Sequence, residues 1–388
     1  MATITLRKTR ETRVRGGHPW IYASEIEKVE GAFENGDIVD VADFRGKFIG
    51  RGFYNPQSQI SLRILTRRDE PCDRDFFARR IRDAWEYRKL LCDLNSCRLI
   101  YSESDFLPGL VVDKFGDILV LQSLSLGIER IKDMLCDLLM EIVEPAGIWE
   151  RSDVPVRRLE GLEQATGLLR GEVPDVVEMR ENGIRFLVDV KHGQKTGFFL
   201  DQRENRALVE RYARGRNVLN LFCYTGGFSV YALGGGALHV DSVDSSAKAM
   251  AMVDRNIALN GFSAEQHTSF CADAIEHLAA VEDGRYDLII VDPPAFAKHR
   301  GALKNALRAY QRLNARAIEK IAPGGLVFTF SCSQVVEKEA FALAVFSAAA
   351  GTGRRVRILD RLCQPADHAV NIYHPEGEYL KGLLLYVE

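Results

Sequence analysis

The sequence has 388 residues, long for a single core, so two or three domains are expected. Its 46% hydrophobic and 27% charged content describe a globular chain, and a net charge of −3 excludes a uniform polycation. The polar, basic start from Met1 to Arg15 is unlike a secretory leader and no apolar run reaches membrane length, so a cytoplasmic protein with no membrane partner is expected.

Residues 1–72 read as short strands between turns: Ile38–Val41, Phe48–Phe53 and Gln59–Leu65, with apolar alternation at Ile60, Leu62 and Ile64. Gly16-Gly17, Asn35-Gly36 and Asn55-Pro56 supply the turn chemistry. A small β-barrel is expected. Charge also marks this end, since residues 1–90 carry 18 Lys/Arg against 14 Asp/Glu, whereas 91–182 carry 9 against 18. The basic excess sits in Arg7, Lys8, Arg10, Arg13 and Arg15, and again in Arg63, Arg67 and Arg68. Such clusters suit a phosphate backbone, although a solvated face accounts for them equally well.

From 73 to 190 the pattern changes. Asp75–Leu91 has helical periodicity through Phe76, Ile81, Ala84 and Leu91, and links to the next segment. Strand-like runs at Gly109–Asp113, Ile118–Ser123, Ile148–Glu150 and Ile184–Val190 accompany a helix at Ile131–Val143. A central small α+β domain is the economical reading.

Residues 191–388 alternate strand and helix. Strands are expected at Asn217–Phe222, Leu238–Val243, Leu288–Asp292 and Leu326–Ser331. Helical windows fall at Arg203–Arg214, Phe228–Leu233, Ser246–Asn260, Asp273–Ala280 and Leu303–Ile321. This is an α/β, mostly parallel, doubly wound sheet, in which ligands bind at the carboxyl ends of the strands. The first strand runs into Cys223-Tyr-Thr-Gly-Gly-Phe-Ser229, where two glycines allow close backbone approach. G-x-G-x-x-G is absent, which disfavours a nicotinamide dehydrogenase, and Gly234–Gly236 lacks the Lys-Ser/Thr of a phosphate loop. Asp244 and Asp273 close the next two strand ends. Asp292 closes the fourth and is followed by Pro293-Pro294, which stiffen the loop and remove backbone donors.

Eight cysteines occur without a C-x-x-C pair, so no metal is expected and most should be free, packed thiols. Cys332 stands apart, between Ser331 and Ser333 at the end of an apolar strand.

These features together resemble the class I S-adenosylmethionine-dependent methyltransferases, and more narrowly the bacterial large-subunit ribosomal RNA cytosine-5 methyltransferase I family. The resemblance spans nearly the whole chain, through Arg15–Trp20, Thr196–Arg203, Leu219–Phe228, Asp292–Phe296, Ser331–Ser333 and Glu378–Gly382. It implies an N-terminal PUA-like RNA-binding barrel (1–72), the central α+β domain (73–190) and a Rossmann-like catalytic domain (191–388). It implies S-adenosylmethionine on Tyr224, Thr225 and Gly226, with Asp244 on the ribose and Asp273 on the adenine. Phe198 and Gln202 would lie at the methionine end, and Phe222, Ser245, Asp292 and Pro293 complete the implied set. The partner would be 23S ribosomal RNA, naked or in a partly assembled large subunit; a homodimer is left open.

In this reading Cys332 and Asp292 are catalytic. Carbon 5 of cytosine is a poor nucleophile until a thiolate adds to carbon 6, and an acid at N3 steadies the ring as electron density shifts. The thiol needs a favourable field, for which Lys298, His299 or the bound base are the options. Cys223 is the competing thiol, with a packing role favoured. Phe296 could stack on a base taken out of its stack, and Arg308 and Arg312, one helical turn apart, could extend the RNA track of Arg7, Arg13 and Arg15. Two alternatives remain: adenine-N6 methylation, against which Cys332 and the alanine of Asp292-Pro-Pro-Ala-Phe296 weigh, and a non-catalytic, cofactor-binding ribosome assembly factor.

Overall fold

The computed structural model describes all 388 residues, in two compact units that interleave along the chain. The first comprises Met1–Met179, Val188–Leu200 and Ala366–Gly377; the second comprises Arg180–Leu187, Asp201–Pro365 and Glu378–Glu388.

The first unit opens with β1 (Thr3–Leu6), α1 (Glu11–Arg15), β2 (Trp20–Ile21), β3 (Ile26–Glu30), β4 (Ile38–Ala42), β5 (Phe48–Tyr54) and β6 (Leu62–Thr66). They form one six-stranded sheet in the order β2-β6-β5-β4-β1-β3, wrapped around Ile4, Leu6, Val14, Val39, Val41 and Leu62. Irregularities at Thr5/Leu6, Val41/Ala42 and Arg51/Gly52 bend its strands, as bulges do. Next come α2 (Arg74–Leu91), β7 (Ser96–Tyr101), β8 (Leu110–Phe115), β9 (Ile118–Ser123), α3 (Leu126–Val143), β10 (Gly147–Ser152) and β11 (Ala165–Gly171). This sheet runs β11-β10-β9-β8-β7, and only β9 and β10, joined through α3, are parallel. Phe53 and Leu65 of the first sheet share a core with Phe76, Phe77 and Ile81 of α2. A two-stranded sheet of β12 (Val177–Glu181) and β13 (Ile184–Val188) then leads towards the second unit.

The second unit contains α4 (Arg203–Ala213), β14 (Asn217–Leu221), α5 (Gly227–Gly234), β15 (His239–Asp244), α6 (Ala247–Leu259), β16 (His267–Cys271) and α7 (Ala274–Ala280). It continues with β17 (Leu288–Val291), α8 (Leu303–Lys320), β18 (Gly325–Ser331), α9 (Lys338–Thr352), β19 (Val356–Cys363) and β20 (Lys381–Val387). The seven strands run β16-β15-β14-β17-β18-β20-β19. The first five are parallel, and β20 is antiparallel to both β18 and β19. Strand order reverses at β14, which puts the switch point, and so the ligand crevice, at the carboxyl ends of β14 and β17. Central strands such as Leu288–Val291 are fully buried, which is why they read as unbroken apolar runs.

The expected strands and helices of the parallel sheet are present within a residue or two. The sequence reading did not include α1, α9 or the strands β1, β2, β3, β7, β11, β12, β19 and β20. In α9 Leu343 and Phe346 are exposed while Phe341 and Val345 are buried, so apolar residues lie on both faces and no helical stripe shows. The edge strand β19 is mostly exposed and carries no alternation. No helix is long and apolar enough to cross a membrane.

Candidate functional site

At the end of β14 the chain turns sharply. Phe222 (φ 58°), Tyr224 (φ 48°) and Gly226 (φ 83°) all take the left-handed conformation. That conformation costs non-glycine residues energy and persists only where surroundings hold it. Those surroundings can be named. Cys223 N donates to Val243 O at 3.0 Å, and Gly226 N to Cys223 O at 2.9 Å. Fully buried Asn256 of α6 donates to Thr225 O at 2.9 Å and accepts from Leu187 N at 2.8 Å. A side chain at Gly226 would bring its Cβ to 3.1 Å from Val253.

Asp244 closes β15 with one oxygen accepting from Tyr224 N at 3.0 Å and the other from Ser246 N at 2.9 Å. Its carboxylate therefore joins the glycine turn to the start of α6. Ser245 is exposed beside it. Asp273 is exposed at the start of α7, and its Oδ1 accepts from Ile275 N and Glu276 N at 2.8 and 2.9 Å. Thr225 Oγ1 is buried at the turn with no protein partner.

Asp292 follows β17 directly, and its Oδ2 accepts from Gln202 Nε2 at 3.0 Å. Gln202 is buried and its own oxygen accepts from Asn205 Nδ2 at 2.6 Å. A buried amide relay at the start of α4 thus holds this carboxylate in place. Pro293 is buried and Pro294 exposed. Phe296 lies half-buried with its ring 4.7 Å from that of Tyr310.

Register pairs Val291 with Thr329, so Asp292 and Cys332 leave neighbouring strand ends. Cys332 is half-buried between buried Ser331 and Ser333. These serines fix the loop: Ser331 Oγ donates to Tyr310 OH at 2.9 Å, and Ser333 Oγ accepts from Ala297 N at 3.2 Å. That second bond connects the cysteine loop to the Pro-Pro loop. Lys381, opposite Ser331 on β20, donates to Ser333 O and Val336 O, both at 2.6 Å. Burial pushes its pKa down to about 8, while the Cys332 charge pulls it back up. Lys298 and His299 are exposed on their loop. The buried cation beside the cysteine loop is thus Lys381, within the quoted Glu378–Gly382 stretch; the unread strand β20 hid its position.

Cys223 is different. It is buried against Met250, Sγ to Sδ 3.7 Å, and burial raises its pKa well above the ordinary thiol value. It packs as an apolar group.

Of the remaining expected residues, Phe198 is buried in the first unit. Arg13 is paired with Glu25 at 3.1 Å and Arg15 with Asp43 at 2.5 Å, so part of their charge is used internally. Arg7 is exposed and donates to Ile26 O at 3.0 Å. Arg308 and Arg312 lie together on the exposed face of α8, lining a shallow groove with Ser347 and Gly351.

A family model for S-adenosylmethionine-dependent methyltransferases matches residues 149–370, and one for PUA-like domains matches residues 4–67. The ribosomal RNA large subunit methyltransferase I of Tolumonas auensis is 44% identical over 99% of this chain and 98% of its own length. That of Pseudoalteromonas atlantica is 42% identical over 98% of each. Among solved structures, a Streptococcus mutans chain described as a SAM-dependent methyltransferase matches at TM-score 0.83 and 22% identity over the whole of both chains. SMU.776, described as a methyltransferase complexed with SAH, matches at TM-score 0.85 and 22% identity over the same extent. These structures share the fold.

Proposed function

Since the chain belongs to the ribosomal RNA large subunit methyltransferase I family, we propose that it makes 5-methylcytosine in 23S ribosomal RNA through a Cys332 adduct. S-adenosylmethionine, its cofactor, supplies a methyl group made electrophilic by a sulfonium. The residues present fit that group: a left-handed turn open to close approach, an Asp244 carboxylate at the ribose position, and the unpartnered Thr225 hydroxyl.

The observation that carries the reading is the setting of Cys332. A half-buried thiol stands at a strand end, its neighbours pinned by Tyr310 and Lys381 and its loop tied to that of Asp292. Lys381, charged below about pH 8, favours the thiolate. That thiolate adds to carbon 6 of the cytosine, forming a C–S bond and shifting the ring's electron pair towards N3. Asp292, entering this step as the protonated acid with its Oδ2 held by Gln202, donates that proton or a hydrogen bond at N3. Carbon 5 takes the methyl group as the sulfonium S–C bond breaks with its electron pair going to sulfur; loss of the carbon 5 proton to a base then reforms the C5–C6 double bond and expels the thiolate. Basic residues Arg7, Arg13 and Arg15 of the barrel and Arg308 and Arg312 of α8 hold phosphates, while Phe296 meets the target base.

Cys332→Ala should abolish methyl transfer, by about a thousandfold or more, while the dissociation constant for S-adenosylmethionine stays within about twofold. Transfer to carbon 5 at a wild-type rate would remove the thiol from the mechanism.

A further inference from the structure

Two arginines of the first unit differ from the others around them. Arg13, Arg15, Arg51, Arg63, Arg74, Arg79, Arg88 and Arg98 each pair with a carboxylate. Arg67 and Arg80 do not; exposed Arg7, Arg10, Arg68 and Arg82 also lack a carboxylate partner, but only Arg67 and Arg80 line a common cleft. Arg67 donates only to backbone carbonyls, of Val14 at 3.3 Å, Gly17, and His18 at 3.4 Å. Arg80 reaches Leu65 O at 3.4 Å, with its guanidinium 5.2 Å from the Phe76 ring and 5.3 Å from the Phe106 ring. Partial desolvation lowers the pKa of both, although Arg80 is only half-buried and Arg67 is exposed. Both nevertheless stay charged, because an arginine's ordinary value is so high.

Both line one cleft of about 130 Å³ between β6, α2 and the turn after β7. At about 30 Å³ per water, it has room for a group the size of a phosphate but not for a nucleotide. At its rim Phe106 is 43% exposed and held in the left-handed conformation, φ 57°. A phenylalanine in the left-handed conformation costs stability, and a ring left 43% exposed recovers little of it by packing. The one carboxylate in the lining, Glu103, is already committed. It accepts from Trp20 Nε1 at 2.7 Å and Ser102 Oγ at 2.5 Å, and lies 4.0 Å from Arg63.

We infer that this cleft is a phosphate-binding site for the RNA backbone, with Arg67 and Arg80 gripping one phosphodiester and Phe106 stacking on the adjoining base. The inference rests on RNA being the substrate. It assigns the first unit a defined contact in addition to the diffuse basic face of the barrel. A guanidinium offers donors in a planar fork, and two of them around a phosphate-sized space match a single phosphodiester better than two separate ones.

The test is the salt dependence of binding to a large-subunit ribosomal RNA fragment, using the full chain. For single-stranded RNA, losing one phosphate contact reduces the log–log slope by about 0.7. Arg67→Gln and Arg80→Gln should each produce that loss and weaken binding about five- to tenfold, and the double variant should lose no more slope than either single. Arg67→Lys, which keeps the charge, should retain the slope, and Phe106→Ala should weaken binding with the slope intact. Unchanged slopes in folded Gln variants would overturn the site, as would additive losses, which would mean two independent phosphates. A wild-type chain that shows no salt-dependent RNA binding would instead refute RNA as the substrate, and this site with it.

Discussion

At the scale of single residues, Lys381 is the most informative. A buried ammonium is costly, and its pKa, about 8 against an ordinary 10.5, measures that cost. The folded value lies below the unfolded one, so the unfolded chain holds more protons between about pH 8 and 10.5. Stability therefore rises with pH across that window, and the burial cost is fully present below it. Wild type should gain on the order of 3 kcal/mol relative to Lys381→Met between pH 7 and pH 10.5 in denaturant titrations. Parallel curves would mean that the lysine is solvated. At pH 7.5 the same variant should lower kcat at least about tenfold, because the thiolate loses its field and the cysteine loop loses its two bonds from Lys381. Asp292 and Cys332, as proposed site residues, stand out in the sequence because each closes an apolar strand. Lys381 does not, since its position depends on an antiparallel strand returning from 50 residues beyond Ser331.

At the scale of elements, the turn after β14 that is proposed to hold the cofactor depends on α6 as much as on its own glycines. Asn256 makes two buried hydrogen bonds that hold Thr225 and Leu187. Asn256→Ala leaves both backbone groups unsatisfied, at about 1–3 kcal/mol each. The variant should unfold about 2–6 kcal/mol more easily and bind S-adenosylmethionine at least about tenfold more weakly by calorimetry. A lowered melting point with unchanged cofactor affinity would confine Asn256 to stability. The glycine pair could be read directly, whereas Asn256 resembled any polar residue on a helix; its role appears only when α6 lies beside the turn. For the parallel strands, full burial makes the pattern plain. For α9 and β19, exposed apolar residues erase it.

At the scale of the molecule, the barrel and the α+β sheet of the first unit are joined through buried polar groups. Glu160, 2% exposed, accepts from Asn55 at 3.1 Å and Ser58 at 2.6 Å and pairs with Arg63 at 2.9 Å. Gly127 of α3 lies so close to Phe53 that an added Cβ would come within 2.1 Å of its ring. A chain starting at residue 73 would lose the barrel partners of Glu160 and expose the apolar faces of α2 and α3. Its β7–β10 amides should exchange at least about a hundredfold faster than in the full chain. Native-like protection would show that the barrel is dispensable to that core. The change of pattern near residue 72 is visible in sequence, but the bonds across it are not, because they join residues about 100 positions apart.

Methylation of cytosine through Cys332 is tested most directly by trapping. With S-adenosylmethionine and a ribosomal RNA fragment carrying 5-fluorocytosine, carbon 5 cannot lose a proton after transfer, so the thioether should persist. Peptide mapping of the trapped complex should find the nucleotide on Cys332. A link on Cys223 or Cys363, or no link at all from a chain that methylates the unsubstituted RNA, would contradict it.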